Sequence, residues 1–257
     1  VIEIERPQAG VTCVTLNRPE KRNALSIEMM KALCTAIDEV AADPEQRVLV
    51  LRGSSPTFCS GLDLEEAADL SCAHPSAEWY AKLLEQLALT PLLTVCAASG
   101  VAAAGGAGLL AACDFAIASD DLKIGFPETR VGLVPAMVMT LLYHRIGDRA
   151  LRELMLLAEF IPASRALEMG LLTRVISSSS LEWELDQVVD SLLGTAPVAA
   201  SRTKKLIREL RHPDLSSELH QVLTYHLQAR TSEEAEEGIR AFRERREPNW
   251  AVPGGEV

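Results

Sequence analysis

A chain of 257 residues that is 48% hydrophobic can bury a full-sized core, which excludes a disordered protein and bounds the molecule to one large domain or a domain with an appendage. Its formal charge of -11 argues against a nucleic-acid surface, which needs a basic stripe, but leaves room for an anionic ligand held by a few local arginines. The six cysteines (Cys13, Cys34, Cys59, Cys72, Cys96, Cys113) form no C-x-x-C pair and no Cys/His cluster at zinc spacing. They read as small buried hydrophobes in a reducing, cytoplasmic compartment, and no metal is expected. No secretory pattern opens the chain, although it begins at Val1 rather than Met, which leaves room for a removed leader.

In chain order, residues 2–5 and 11–16 read as two short strands around the turn Pro7-Gln8-Ala9-Gly10. Residues 17–23 form a polar loop. Ser26 can then cap a helix that carries Met30, Leu33, Cys34, Ile37, Val40 and Ala41 on one face. Residues 47–52 are a buried strand ending at Gly53, followed by a loop over 54–64 and a short helix with an acidic start. Residues 76–89 are helical in pattern and stop at Thr90-Pro91, and 92–98 are the next strand. A short strand over 115–118 and an extended stretch over 123–128 follow. Helices are predicted over 135–146, 149–157 and 164–169, the last closed by Gly170, before a final strand over 172–176. From 181 to 246 the pattern is helical, with breaks near Pro197 and Pro213. No internal repeat is visible, and the alternation of strands and helices before that helical end fits an α/β fold.

The stretch Ser99-Gly100-Val101-Ala102-Ala103-Ala104-Gly105-Gly106-Ala107-Gly108-Leu109-Leu110-Ala111-Ala112-Cys113-Asp114 allows three readings. Gly106 to Ala111 matches a G-x-G-x-x-A dinucleotide fingerprint, but Asp114 ends the apolar run after barely two turns, and Asp120 and Asp121 come too soon for the acidic residue that site needs. Residues 92–113 are 22 positions without a charge, which is long enough to span a membrane. Gly and Ala fill much of that run, however, and neither flank is basic. A buried strand, a turn and a buried helix in a soluble core is the preferred reading. Glycines there let a ligand approach the backbone, and a helix start leaves N–H groups free for a developing negative charge.

Two turns and one acid stand out together: Phe58-Cys59-Ser60-Gly61-Leu62-Asp63, Gly105-Gly106-Ala107-Gly108, and Glu128 in Phe126-Pro127-Glu128-Thr129-Arg130-Val131-Gly132-Leu133. With Leu16-Asn17-Arg18-Pro19-Glu20-Lys21-Arg22-Asn23-Ala24-Leu25, Ala112-Cys113-Asp114 and Glu237-Gly238-Ile239-Arg240-Ala241-Phe242, they run in an order that resembles the crotonase superfamily, which includes the enoyl-CoA hydratases and isomerases. The likeness covers nearly the whole chain. It implies a crotonase-like spiral of β-β-α units, with a core over 1–195 and a helical trimerisation region over 196–257, assembled as a trimer or a dimer of trimers. It implies an acyl-CoA thioester as ligand, with coenzyme A entering as part of the substrate and no separate cofactor. Neither nucleic acid nor membrane is expected as a partner.

The resemblance also assigns residues. Backbone N–H groups at Leu62 and Gly105 match the family's thioester-oxygen donors, and Glu128 matches a catalytic carboxylate. Substrate contacts carry over to Arg22, Ala24, Leu25, Ser60, Gly61, Asp63, Leu64, Gly106, Gly108 and Pro127. Arg22 either pairs with a coenzyme A phosphate or is a solvated charge. Phe242 and Arg245 match residues that reach a neighbouring subunit's ligand, although Arg243, Arg245 and Arg246 also read as an ordinary solvated basic run.

Family hydratases with two catalytic carboxylates carry one at the position of Gly108, where this chain has no side chain. A single carboxylate can take a proton from C2 and return it to C4, as in the mitochondrial-type 3,2-enoyl-CoA isomerases that this pattern is similar to. Methylglutaconyl-CoA hydratase-like sequences share the Gly-Gly-x-Gly-Leu turn and the Gly-Leu-x-Pro-Ala segment, so hydration stays open beside isomerisation. Ala136-Met137-Val138-Met139-Thr140, bulkier than in many relatives, either reshapes the acyl pocket or packs as an ordinary helix. Residues 65–89 match the family's variable lid. No role falls to His74, His144, His212, His220 or His226. The rivals are another crotonase branch, such as a thioester hydrolase, decarboxylase or dehalogenase, and a non-catalytic acyl-CoA-binding subunit.

Overall fold

The computed structural model describes residues 1–54, 56–211 and 214–251. His212 and the break near Pro213 lie outside them. Strand β1 (Ile2–Gln8) pairs antiparallel with β2 (Val11–Leu16) around Gly10, whose φ of 78° makes the turn. Here β1 runs three residues past the expected end. An edge strand tolerates Pro7, which has no N–H to donate, and a register irregularity between Glu5 and Gln8 absorbs it.

From β2 onward the main sheet is parallel. Its order is β1-β2-β3-β4-β6-β9, with β3 at Val48–Gly53, β4 at Leu93–Ala98, β6 at Phe115–Ser119 and β9 at Arg174–Ile176. Both faces are covered, which explains the near-continuous apolar runs. Side chains alternate between two cores as strand geometry requires. Val14, Leu16, Leu49 and Leu51 face helix α1 (Ile27–Ala42) and its neighbours, whereas Val11, Cys13, Val48 and Val50 face α8 (Leu181–Leu193). Ser26 caps α1 by accepting from the Met29 N–H at 3.2 Å. The expected α1 face is buried except for Ala41, and Met29 and Ala36 join it.

The crossover from β3 to β4 carries α2 (Leu64–Ala68) and α3 (Leu70–Leu89). Helix α3 begins six residues before the predicted start and contains Pro75. Pro75 is the sixth residue of the helix, past its first turn, and the Asp69 side chain accepts from the Ser71 N–H at 2.8 Å to start the helix upstream of it. Its buried face is Ala73, Ala77, Tyr80, Leu83, Leu84 and Leu87.

The uncharged run resolves into β4, a turn at Ser99-Gly100, an unforeseen strand β5 (Val101–Ala103) and helix α4 (Gly105–Ala112). All eight residues of α4 are buried. No helix among the described residues is long and apolar enough to cross a membrane. Asp114 ends the run for a structural reason. Its carboxylate accepts from the backbone and hydroxyl of Thr94 and pairs with Lys204 Nζ at 2.7 Å, so β4, β6 and α9 (Pro197–Arg211) are tied together.

A smaller sheet has the order β5-β7-β8, with β7 at Lys123–Gly125 and β8, a second unforeseen strand, at Ile161–Pro162. Pro127 and Glu128, expected to end an extended stretch, instead open a short 3-10 helix over Pro127–Val131. Proline opens that turn, and Gly132, at φ 71°, closes it. Helices α5 (Ala136–Tyr143), α6 (Asp148–Arg152) and α7 (Ala163–Glu168) follow, a π turn over Glu153–Leu157 continuing α6. Helices α10 (Leu215–Arg230) and α11 (Glu233–Glu244) complete the helical end, and α10 packs on α3 and α5.

Entry into α4 is strained. Ala104 sits at φ 48°, ψ -121°, a region glycine favours, while its N–H donates to Gly125 O at 2.8 Å. A non-glycine residue in such a region costs about 1–3 kcal/mol, and glycine's extra unfolded-state freedom costs about 0.5–1 kcal/mol. Ala104→Gly is therefore expected to raise stability by about 1 kcal/mol, measured by denaturant unfolding at equal slope. A loss of stability contradicts the strain.

Candidate active site

The site forms where loops leave the carboxyl ends of parallel strands. Residues after β2, β3 and β5 are stitched side by side. Leu25 N–H donates to Gly61 O at 2.8 Å and Asp63 N–H donates to Leu25 O at 3.0 Å, while Ser60 N–H reaches Arg22 O at 3.1 Å. Cys59 bridges to Ala102 in the same way, with Cys59 N–H on Val101 O and Ala103 N–H on Cys59 O. Ala104 then hands the ladder to Gly125, directly before Phe126-Pro127-Glu128.

Two amides emerge from this stitching. The bonds to Leu25 use the groups of Gly61 and Asp63, so the Leu62 N–H points to the other side of the segment. Gly105 is the first residue of α4, whose ladder starts with Gly108 N–H on Ala104 O at 3.1 Å, so its own N–H has no intrahelical acceptor. The two bends touch. A Cβ on Gly61, which has φ 95°, would lie 3.0 Å from Ala104 Cβ and 3.4 Å from the Gly105 nitrogen. On Gly106 it would lie 2.4 Å from Cys59 O, so a side chain at either position would force the bends apart.

Glu128 rides on the 3-10 turn that follows β7. The residue is half-buried overall, but Oε2 is buried with no hydrogen-bond partner among the described residues. Burial pushes its carboxyl up to about 7, and a bond from its own backbone N–H opposes this only in part. The turn is clamped. Arg130 Nε donates to Ala158 O at 2.9 Å and Thr129 Oγ1 donates to Met155 O at 3.3 Å. On its other side, a Cβ on Gly132 would meet the Glu234 backbone at 2.4 Å, and one on Gly238 would meet the Val131 backbone at 2.4 Å. Helix α11 thus packs backbone to backbone against the turn that carries Glu128.

The other expected residues divide into those in the stitched loops and those outside them. Ala24, Leu25, Gly61, Gly106 and Gly108 are buried in the loops and in α4, Ser60 and Pro127 are half-buried, and Leu64 is exposed at the start of α2. Asp63 is buried and already has partners. Its carboxylate pairs with Arg18 Nη2 at 2.9 Å and accepts from Glu65 N–H at 3.0 Å to cap α2. Arg22 stands exposed at φ 51°. Phe242 and Arg245 are exposed beyond Gly238 at the far end of α11, away from its contact with the Glu128 turn. Met137 and Val138 are buried against the core, in keeping with ordinary helix packing. An open cavity of about 770 Å³ between α2, α10 and α11, lined in part by Arg230, Ser232 and Arg243, contains none of the expected site residues.

Three residues near the site had no assigned part. Asn23 Nδ2 donates to Thr57 O at 2.9 Å while its Oδ1 accepts from Arg18 N–H at 2.9 Å, fastening two loops. Arg18 reaches both Asp63 and Ala24 O. Tyr80 of α3 donates its hydroxyl to Gly105 O at 2.9 Å. Asn23 and Arg18 carried a signal in their polar loop. Tyr80 reads in sequence only as an aromatic on the buried face of a helix. His226 is buried, and burial with the nearby Arg230 pushes its imidazole down to about 4. Among the described residues no group of three or more His, Cys, Asp or Glu side chains is placed to hold a metal ion.

A parallel sheet with a second small sheet, touching glycine bends and a helical end is the crotonase fold. Solved structures share it: an enoyl-CoA hydratase from Mycobacterium avium subsp. paratuberculosis K-10 superposes with a TM-score of 0.88 at 28% identity, covering 98% of each chain. The family model for enoyl-CoA hydratase/isomerase matches residues 6–253, and the chain belongs to that family. A Thermus thermophilus relative named "Putative enoyl-CoA hydratase" is 31% identical over 97% of this chain and 100% of its own. The enoyl-CoA isomerase/hydratase fer4 of Mycosarcoma maydis is 30% identical over 93% of this chain and 92% of its own.

The Glu128 environment has a stability consequence. A carboxyl whose folded pKa lies above its unfolded value of 4.5 stabilises the fold when protonated and destabilises it when ionised. The cost is absent below about pH 4.5 and grows until pH passes about 7. Glu128→Gln removes the charge and is expected to stabilise the protein by up to about 3 kcal/mol at pH 8, with the gain fading to nothing by pH 4. Parallel denaturant titrations at the two pH values measure it. An equal gain at both contradicts the raised pKa.

Proposed function

We propose that the protein is an acyl-CoA enzyme that shifts a double bond, converting 3-enoyl-CoA to 2-enoyl-CoA through a thioester enolate. The observation that carries this reading is a buried carboxyl, Glu128, pushed up to about 7, in a fold whose loop ladder leaves the Leu62 and Gly105 N–H groups unused. At that pKa both protonation states are populated near neutrality, which suits one group that must first take and then return a proton. The Glu128 carboxylate removes a proton from C2, and the electron pair passes into the thioester carbonyl. The oxygen takes up negative charge facing the Leu62 and Gly105 N–H groups. The dienolate then draws the proton from the Glu128 carboxyl to C4, leaving the double bond between C2 and C3 and the enzyme unchanged. Each main-chain donor aimed at the developing charge is worth about 3–4 kcal/mol of barrier.

Hydration of 2-enoyl-CoA is the second reading, and the hydratase names of the relatives favour it. It asks more of the site, because water must be activated at C3 while a proton reaches C2, and the Gly108 position supplies no carboxyl. On either reading Arg22 is the proposed partner of a coenzyme A phosphate. Residues 1–195 form the proposed catalytic core and 196–257 the assembly region of a trimer or a dimer of trimers, in which Phe242 and Arg245 reach a neighbour's ligand. The exposed Val198, Leu206, Ile207 and Leu210 of α9 supply apolar surface for such an assembly. The cytoplasm is the proposed compartment.

Incubation with 3-enoyl-CoA and 2-enoyl-CoA in heavy water tests the reaction. The expected outcome is a shifted double bond with turnover rising through pH 7, and a 3-hydroxyacyl product instead selects hydration. Glu128→Gln is expected to keep acyl-CoA binding and to lose at least about a hundredfold in kcat. Full activity in that variant removes the assignment, and binding of coenzyme A esters without turnover by the native protein selects a non-catalytic binder.

A further inference from the structure

The empty side-chain position at Gly108 is not empty space. A Cβ built there would lie 2.0 Å from Tyr80 Oη and 2.9 Å from Val138 Cγ2. On Gly105, one turn earlier on the same face of α4, it would lie 3.3 Å from the Tyr80 ring and 3.4 Å from its hydroxyl. The tip of Tyr80 therefore covers the first turn of α4, and the two glycines are the room it needs. Tyr80 is fully buried, and its one hydroxyl proton is committed to Gly105 O at 2.9 Å.

The charge of Glu128 also reaches that hydroxyl. Burial pushes the phenol well above its usual value, and the charge of ionised Glu128 pushes it further. Tyr80 is therefore a neutral phenol throughout the working range. Its proton is spent on the backbone, so the oxygen offers the site only acceptor capacity. Glu128 Oε2, in turn, is the buried carboxyl oxygen that lacks a partner among the described residues.

We propose that Tyr80 is a positioning residue for the Glu128 proton transfer: from the space left by Gly108, its hydroxyl fixes the Gly105 end of α4 and is the neutral polar group that Glu128 works against. The inference rests on the enolate reading above. It makes the site a one-carboxyl site by construction, because the volume where a side chain at position 108 would begin is taken by a group that neither ionises nor gives up its proton. It also links reaction to lid, since Tyr80 belongs to α3, the helix that forms most of the segment between β3 and β4.

The test compares native protein, Tyr80→Phe and Glu128→Gln, measuring thermal unfolding, kcat and KM for 3-enoyl-CoA and 2-enoyl-CoA from pH 5 to 9. Tyr80→Phe is expected to lower kcat about tenfold or more with KM changed less than about twofold, the mark of a group that acts in the transition state. The acid limb of its kcat/KM profile is expected to move to lower pH, because the acceptor oxygen that disfavours the ionised Glu128 carboxyl is lost. A merely structural tyrosine moves neither. Native kcat and an unmoved acid limb in Tyr80→Phe, with Glu128→Gln inactive, overturn the role of Tyr80 and leave the enolate reading standing. Native activity in Glu128→Gln overturns the enolate reading itself. Should Tyr80→Phe not fold, Gly108→Ala is the second variant. Its methyl group displaces the hydroxyl while keeping the ring, and the same loss in kcat at unchanged KM is expected. An unchanged kcat there overturns the proposal.

Discussion

Keeping a carboxyl group out of water, with one oxygen unpartnered among the described residues, is the constraint on which this site depends. Desolvation alone holds Glu128 near neutrality in its titration, and an opposite charge within reach would return it to the ordinary carboxylate range. The surrounding structure respects this. The guanidinium nearest to it in sequence, Arg130, is turned onto the carbonyls of Leu157 and Ala158, and Arg18 is spent on Asp63. The fold holds this desolvated carboxyl on a turn pinned on one side by the π turn after α6 and on the other by α11.

Backbone contact is the second requirement. Gly61, Gly106, Gly132 and Gly238 each stand where a Cβ would come within 3.1 Å of another segment's main chain. Side-chain packing tolerates small shifts because rotamers adjust, whereas main chain against main chain does not. The distance between the two bends, and between the Glu128 turn and α11, is thus set by covalent geometry. Such a scaffold suits any chemistry that needs donors fixed before charge develops.

Much of this was legible in the sequence, for reasons that differ by element. The strands of the main sheet show as apolar runs because both faces are buried, and Ser26 and Gly170 mark helix ends through local chemistry that carries over directly. The glycine bends and Glu128 could be placed because their motifs are contiguous. What stayed hidden is non-local. Strands β5 and β8 are three and two residues long and exist only because β7 lies between them. The early start of α3 is set by Asp69 upstream of Pro75, against the usual reading of proline as a boundary. The pairing of Asp63 with Arg18 spans 45 positions. Tyr80 has no local mark at all, since an aromatic at helical spacing is normally just core.

The missing side chain at Gly108 shows how a deletion in sequence is a substitution in space. Read along the chain, the position lacks a functional group. Read in three dimensions, the same volume holds a phenol delivered by a different helix, with its proton already bonded to the first residue of α4. A carboxylate placed there would have brought a second ionisable group beside Glu128, and two like charges in a dry pocket push one pKa up sharply. A neutral hydroxyl brings no second charge, so burial remains the largest influence on the Glu128 carboxyl. On the proposed reading, the replacement changes what kind of proton transfer the site can run: one acid that shuttles, in place of two that divide the work.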